Sequence, residues 1–288
     1  MQSNNPVFRR SEEFHRSGAN AYGNQTYAGT GTIYGDSDPS SWGVGAPGAG
    51  EPFAPSGARM TIDSVVQKTG ITLGVVIVAA LATWILTPEV TATSTQADIA
   101  PLMTATMLGS LVAFGLSMVN SFKKVVSPAL VLAFAVFEGV ALGGLSKLFN
   151  IIYGDGVVQG AVIGTFAAFA GTLAAYKFFN IKVGDKFRRF MFAAVFGMIG
   201  LSLMELVLSL FGAEIGLFGV SGLGMVTAVA GLVLGVFMLI LDFDFVEQGV
   251  ANGIPERESW VAAFALTVSL VWIYTNLLRI LAYLQSSD

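Results

Sequence analysis

Beyond residue 59 the chain alternates between long apolar stretches and short polar joints, with no strand-like alternation inside the stretches. Crossing a hydrocarbon core of about 30 Å takes roughly 20 residues of helix. Seven stretches approach or exceed that length: Ile71–Leu86, Ala100–Val119, Ser127–Leu145, Val157–Tyr176, Phe190–Phe211, Ser221–Phe243 and Trp260–Leu284. Backbone N–H and C=O groups find no partner in lipid, so runs of this kind are helices. The pattern predicts an all-α polytopic membrane protein with seven transmembrane helices. Ahead of the first run, Thr61 is read as the cap of a short separate helix at the membrane interface. Asp63 would stand in its first turn, with Val65 and Val66 on its apolar side.

Residues 1–58 are of a different texture, dominated by Asn, Ser, Gly, Pro, Tyr and Thr. Such a segment buries too little apolar surface to offset its ordering entropy, so it is read as a disordered polar tail. It lacks the basic-then-apolar order of a secretory signal peptide, and the expectation is retention rather than export and release. The division is therefore a tail over 1–58 and a transmembrane domain over 59–288.

Composition agrees. Hydrophobic residues make up 54% of the 288 positions, with 34 Gly besides, and charged residues 12%. Soluble domains carry about 25% charged residues. Mean hydropathy is +0.70. Acidic residues (19) outnumber basic ones (15), which argues against a nucleic-acid partner. There is no Cys, and the one His, His15, lies in the tail. Thiolate metal sites, Cys nucleophiles and His-based triads in the apolar part are thereby excluded.

Charge also predicts orientation. All but Lys147 and Arg279 of the 15 basic residues fall before the first span or in the second, fourth and sixth connections and their flanks. Cytoplasmic loops carry the excess of Lys and Arg, so the N-terminus is placed inside and the C-terminus outside. Arg279 is expected to snorkel to the outer surface. Four pairs have GxxxG spacing: Gly70/Gly74, Gly139/Gly143, Gly160/Gly164 and Gly231/Gly235. The spacing predicts close helix packing inside the bundle, with homodimerisation as the other use.

Three carboxylates interrupt the spans: Glu138 in the third, Glu205 in the fifth and Asp242 near the inner end of the sixth. A charge at mid-bilayer costs at least about 2.5–3.5 kcal/mol, and such residues face a cavity or a partner. They are candidates for an ion pathway or a pH gate. Each has a plainer reading. Glu138 would be a neutral acid bonded to a carbonyl, and Glu205 would pair with a polar neighbour. Asp242 would be solvated among headgroups, like Asp244 and Glu247. Asn276 in the seventh span is by default a packing contact between helices. Enzyme readings lack their parts. Gly219-Val220-Ser221-Gly222 looks like the GxSG of intramembrane serine proteases, but no span holds a His base. Asp242 has no Asp partner in another span, the seventh span has no Lys for a Schiff base, and no phosphate-cradling loop occurs. The chain is expected to be no enzyme and to need no cofactor.

The third span carries Glu138-Gly139-Val-Ala-Leu142-Gly143 after the basic pair Lys123-Lys124. It resembles the EGxxLG helix of the Bax inhibitor-1 family. Leu239-Ile-Leu-Asp242-Phe-Asp-Phe resembles that family's sixth helix, and Leu270-Val-Trp-Ile-Tyr274-Thr-Asn276-Leu-Leu-Arg279 its seventh. The Asn5–Phe8 start and the Asn/Gly-rich tail look like a bacterial branch, which implies a bacterial cytoplasmic membrane. The resemblance implies a seven-helix bundle with the last helix near its centre. It also implies a pH-sensitive Ca2+ leak channel, a link to protection from cell death under stress, and contact with a membrane-bound protease. The family's sensor is a pair of acids on the sixth and seventh helices that share a proton. Asp242 matches the first. The second is replaced by Asn276 or by Ser269, according to the anchor chosen for alignment. At about 1.5 Å per residue Ser269 lies about 14 Å from Trp260 and Asn276 about 24 Å, which makes Ser269 the more reachable partner. The incomplete pair predicts weaker pH gating than in relatives with both acids.

The expected function is a low-conductance cation leak, Ca2+ foremost. Asp242 would stand at the inner mouth with Glu138 and Glu205 deeper, Asp242 and Glu138 would contact the ion, and Asn276 would add an amide oxygen. The alternative is a non-conducting regulator that binds other membrane proteins, such as a quality-control protease, through its tail. A proton-coupled transporter is a third reading, without the paired broken helices usual at a transport site. Conduction requires the three acids to share one wet space; acids scattered over unrelated faces favour a scaffold.

Overall fold

The structure, a computed structural model, describes residues 58–90, 96–123, 125–179, 181–213 and 215–286. The polar tail therefore lies outside the described residues apart from Ala58. Among the described residues are seven helices long and apolar enough to span a membrane. They are α1 (Ile62–Leu86), α2 (Gln96–Phe122), α3 (Pro128–Tyr153), α4 (Val157–Phe178), α5 (Asp185–Leu210), α6 (Gly222–Ala251) and α7 (Ser259–Ser286). A 3-10 turn, Glu256–Glu258, leads into α7.

The helices begin and end for local reasons. Thr61 and Ser64 form a reciprocal capping box, each side chain accepting from the other's backbone N–H at 3.1 Å. The helix they start is not a separate interfacial one, which corrects the expectation. It runs unbroken into the first span, because a lone Gly70 weakens a helix by only about 1 kcal/mol and supplies no stop. Pro128 opens α3, where its missing N–H costs nothing. Gly154, at φ 89°, ends it in a conformation that an L side chain rarely adopts. Ser221 caps α6, accepting from Gly224 N–H at 3.0 Å and donating to the Gly216 carbonyl at 2.9 Å. The serine of the GxSG-like tetrad thus serves as a helix cap.

Helix α7 packs against α1, α3, α4 and α6 and is the most buried of the seven, so the last helix is central. The main partner of α2 is α3, and that of α5 is α6. Two clusters of buried side chains meet on α7. One joins Met60 and Val65 to Leu239, Phe243, Leu266 and Leu270; the other joins Val76, Ala135, Leu142 and Ala161 to Tyr274 and Leu278. The end of the bundle that carries the N-termini of α1 and α7, called inner after the orientation that the basic residues predict, is closed by backbone bonds between the segment before α1 and the turn before α7: Met60 N–H to Ile254 O and Glu256 N–H to Ala58 O, both 2.8 Å. Lys68 pairs with Glu256 at 3.0 Å beside them.

Three of the four glycine pairs work inside the bundle. A Cβ on Gly143 would lie 2.8 Å from Ala80 Cα, and one on Gly139 would lie 2.7 Å from Ala79 Cβ, so α1 and α3 touch almost backbone to backbone. Gly160 and Gly164 receive Leu281 and Leu277 of α7, and Gly231 and Gly235 receive Asn276 and Ile273. Gly70 and Gly74 have nothing within 4 Å of an added Cβ, so internal packing does not explain that pair.

Candidate functional site

Asp242 sits about one third of the way up α6 from its inner end, on the face turned to α7. Ser269 Oγ donates to Asp242 Oδ2 at 2.6 Å. Ser269 is buried, and Leu239, Leu266, Leu270 and Ile273 surround the pair with hydrocarbon. Of Ser269 and Asn276, the structure brings Ser269 to Asp242. Asn276 lies two turns further out, about 10 Å at 1.5 Å per residue. Its Nδ2 donates to Trp272 O at 2.7 Å and its side chain fills the space over Gly231. Asn276 is a helix-packing residue here.

About half a turn further along α6 is a second polar contact. Asp244 is buried and accepts from Arg188 Nη2 at 2.6 Å and Gln248 Nε2 at 2.8 Å. It is not a solvated headgroup neighbour as the plainer reading had it, because the α5 N-terminus delivers Arg188 to it. Glu247 accepts from Tyr176 of α4 at 2.5 Å. The inner third of α6 therefore carries three acids bonded to three different helices: α7, α5 and α4. This was invisible in sequence, though the Asp242-Phe-Asp244-Phe-Val-Glu247 spacing was its signal.

Glu138 and Glu205 do not join Asp242. Phe134 of α3 meets Phe264 of α7 edge-on at 5.0 Å, and Ser146 meets Tyr274 at 2.5 Å. Glu138 follows Phe134 by one turn, on the stripe turned to that side of α7. Phe264 and Ser269 are five residues apart, about 140° around the helix axis. Asp242 and Glu138 thus approach α7 from opposite flanks. No hydrogen bond or ion pair to Glu138 is present among the described residues. Glu205 lies toward the outer end of α5, where Oε1 accepts from Gly216 N–H at 2.8 Å and Oε2 is buried without a partner. No group of three or more acids and His able to hold a metal occurs among the described residues. The expectation was that Asp242 and Glu138 contact one ion, with Glu205 and Asn276 along the same path; the structure does not bring Glu138 or Glu205 to Asp242. Asp242 and Asn276 both face the α6–α7 seam, about two turns apart, while Glu138 and Glu205 lie on other faces, because the rotation of each helix is set by its packing and not by its charge.

One basic residue is placed otherwise than expected. Arg279 does not snorkel outward. Its Nη2 donates to Leu217 O at 2.8 Å, Gly224 O at 3.0 Å and Thr227 Oγ1 at 3.0 Å, pinning the α5–α6 connection to α7. Glu205 holds the neighbouring residue, Gly216, from the other side. Lys147 is buried and donates to the carbonyls of Trp84 (2.9 Å) and Thr87 (2.8 Å), satisfying the end of α1.

A seven-helix membrane bundle whose central last helix is bonded to an acid of the sixth defines the class: a polytopic integral membrane protein with a polar contact inside its helix layer. The family model described as Bax inhibitor 1 like matches residues 5–286, and the chain belongs to that family. No curated protein matches it.

Proposed function

We propose that the protein is a slow cation leak of the Bax inhibitor-1 type, in a closed state, with Asp242 and Ser269 as its inner latch and Ca2+ as the permeant ion. The observation that supports this is the 2.6 Å bond between them, at the position of the family's proton-sharing pair. It ties α6 to the most buried helix of the bundle, so its loss would free the centre of the bundle. The three acids do not share the one wet space that the sequence reading required of a conducting path, so this reading rests on the Asp242–Ser269 contact alone and not on Glu138 or Glu205. Ions would pass along the α6–α7 seam, where carboxylate oxygen suits a hard cation. The distribution of basic residues supports an N-terminus on the inner side, and the resemblance of the N-terminal segment to a bacterial branch of the family supports a bacterial cytoplasmic membrane. The protein would be no enzyme and hold no cofactor. The test is Ca2+ flux into liposomes from acidic to mildly alkaline pH. Flux above that of empty vesicles, altered in Asp242→Asn, is the expected result; no flux, or the same flux in the variant, rejects it.

A second reading is a non-conducting regulator that binds other membrane proteins, such as a quality-control protease. The scatter of the intramembrane acids over separate faces favours it. Deleting residues 2–58 separates the two. Lost partner binding in a protein that never conducts supports the regulator; lost binding with flux intact supports both roles in one chain.

A further inference from the structure

The outer half of the bundle contains a cleft of about 330 Å3 between α1, α3, α4 and α7, lined by Leu81, Trp84, Leu142, Val162, Phe166 and Tyr274 among others. Its two rims, α1 and α4, make next to no contact with each other, and Leu81, Val162 and Phe166 are exposed along them. The cleft thus opens sideways, into the hydrocarbon layer that these helices span.

Its chemistry selects the occupant. Three hydroxyls reach the lining, and each spends its proton within the protein. Thr165 donates to Ala161 O at 2.7 Å, and Ser146 donates to Leu142 O at 2.5 Å. With its own proton committed, Ser146 must accept from Tyr274 in their 2.5 Å contact. None of the three hydroxyls offers its proton to the space, and the rest of the wall is hydrocarbon and one indole. Water needs two to four polar partners to settle in a cavity, and the wall offers few. A space left empty would forfeit dispersion contacts on every side. The phase on its open side is acyl chain.

We propose that the cleft seats one hydrocarbon chain of a bilayer lipid, inserted sideways between α1 and α4 against the Ser146–Tyr274 floor. This is independent of whether the protein conducts.

The full chain in vesicles of phosphatidylethanolamine and phosphatidylglycerol, doped with a phospholipid carrying a mid-chain diazirine, tests it. After photolysis, adducts are expected to concentrate on the peptides holding Leu81, Val162 and Phe166, several-fold above those at the open α5 residues Phe192 and Phe196. Val162→Trp fills the cleft and is expected to abolish that excess while leaving α5 labelling unchanged. Equal labelling of cleft and α5, or an excess that survives Val162→Trp in a folded protein, overturns the proposal. The chain has no Cys, so Leu81→Cys carries a lone thiol. Protection of that thiol from a charged, membrane-impermeant thiosulfonate supports a lipid seat. Rapid modification would mean a water-filled cleft, and a thiol cross-link to a second copy would mean a helix in it; either overturns the proposal.

Discussion

Ser269 Oγ donates to Asp242 Oδ2 at 2.6 Å, so the central helix of the bundle is fastened to its neighbour by a hydroxyl–carboxyl bond inside the membrane layer. A hydrogen bond to an ionised group contributes about 1.5–3 kcal/mol and a neutral one about 0.5–1.5 kcal/mol. The fastening is therefore stronger when Asp242 is ionised and weaker when it is protonated. Ca2+ flux is expected to rise as pH falls. Ser269→Ala should raise flux at the alkaline end and flatten the profile, and Asp242→Asn should give one level at every pH. Liposome flux measured across pH reads all three proteins.

The α1–α3 contact leaves no room for a side chain. Gly143→Val would drive methyl groups into the Ala80 backbone, where neither helix has a flexible side chain to move aside. Overpacking of this kind costs about 1–3 kcal/mol or more. The thermal midpoint in detergent is expected to fall clearly for Gly143→Val. Gly74→Ala, made where nothing lies within 4 Å, should leave it unchanged or raise it slightly.

Lys147 carries a charge into a helix interior and yet stabilises it. Its ammonium group answers the Trp84 and Thr87 carbonyls, which α1 leaves open at its end. Lys147→Met keeps the bulk and removes the donors, at a cost of about 1–3 kcal/mol for the buried acceptors left unpaired. Glu89, 3.9 Å away and exposed, contributes an ion pair worth about 0–1 kcal/mol. A detergent melt should therefore separate Lys147→Met, clearly destabilised, from Glu89→Gln, nearly unchanged.

The seven spans are legible in the sequence because lipid leaves the backbone only one way to satisfy itself. The choice of Ser269 over Asn276 is legible too, since depth along a helix is simple arithmetic from its inner end. Rotation is another matter. Nothing in the sequence tells that Glu138 and Asp242 reach α7 from opposite flanks, because each helix turns to suit its packing: Phe134 on Phe264, Gly143 on Ala80. The same limit applies to Gly70/Gly74, which share the spacing of the three working pairs but meet no partner helix. Arg279 was misread for a related reason. Two of the three partners of its Nη2 are backbone carbonyls, Leu217 O before α6 and Gly224 O in its first turn, and carbonyls leave no mark in a sequence.

Restoring a second acid gives the sharpest test of the latch. Ser269→Asp would place two carboxyls where a hydroxyl now meets one. With one proton between them they share a short hydrogen bond, and α6 and α7 stay together. With none, two like charges face each other in a poorly solvated seam and repel. With two protons, each acid is neutral and the bond is weaker. The variant is therefore expected to open at both ends of the pH range, adding an alkaline rise in Ca2+ flux that the wild-type protein lacks. Pairing Ser269→Asp with Asp242→Asn removes the like-charge contact while keeping one acid at the seam, and the alkaline rise should vanish. Its persistence in the double variant would place the titrating group elsewhere and detach the pH response from this contact.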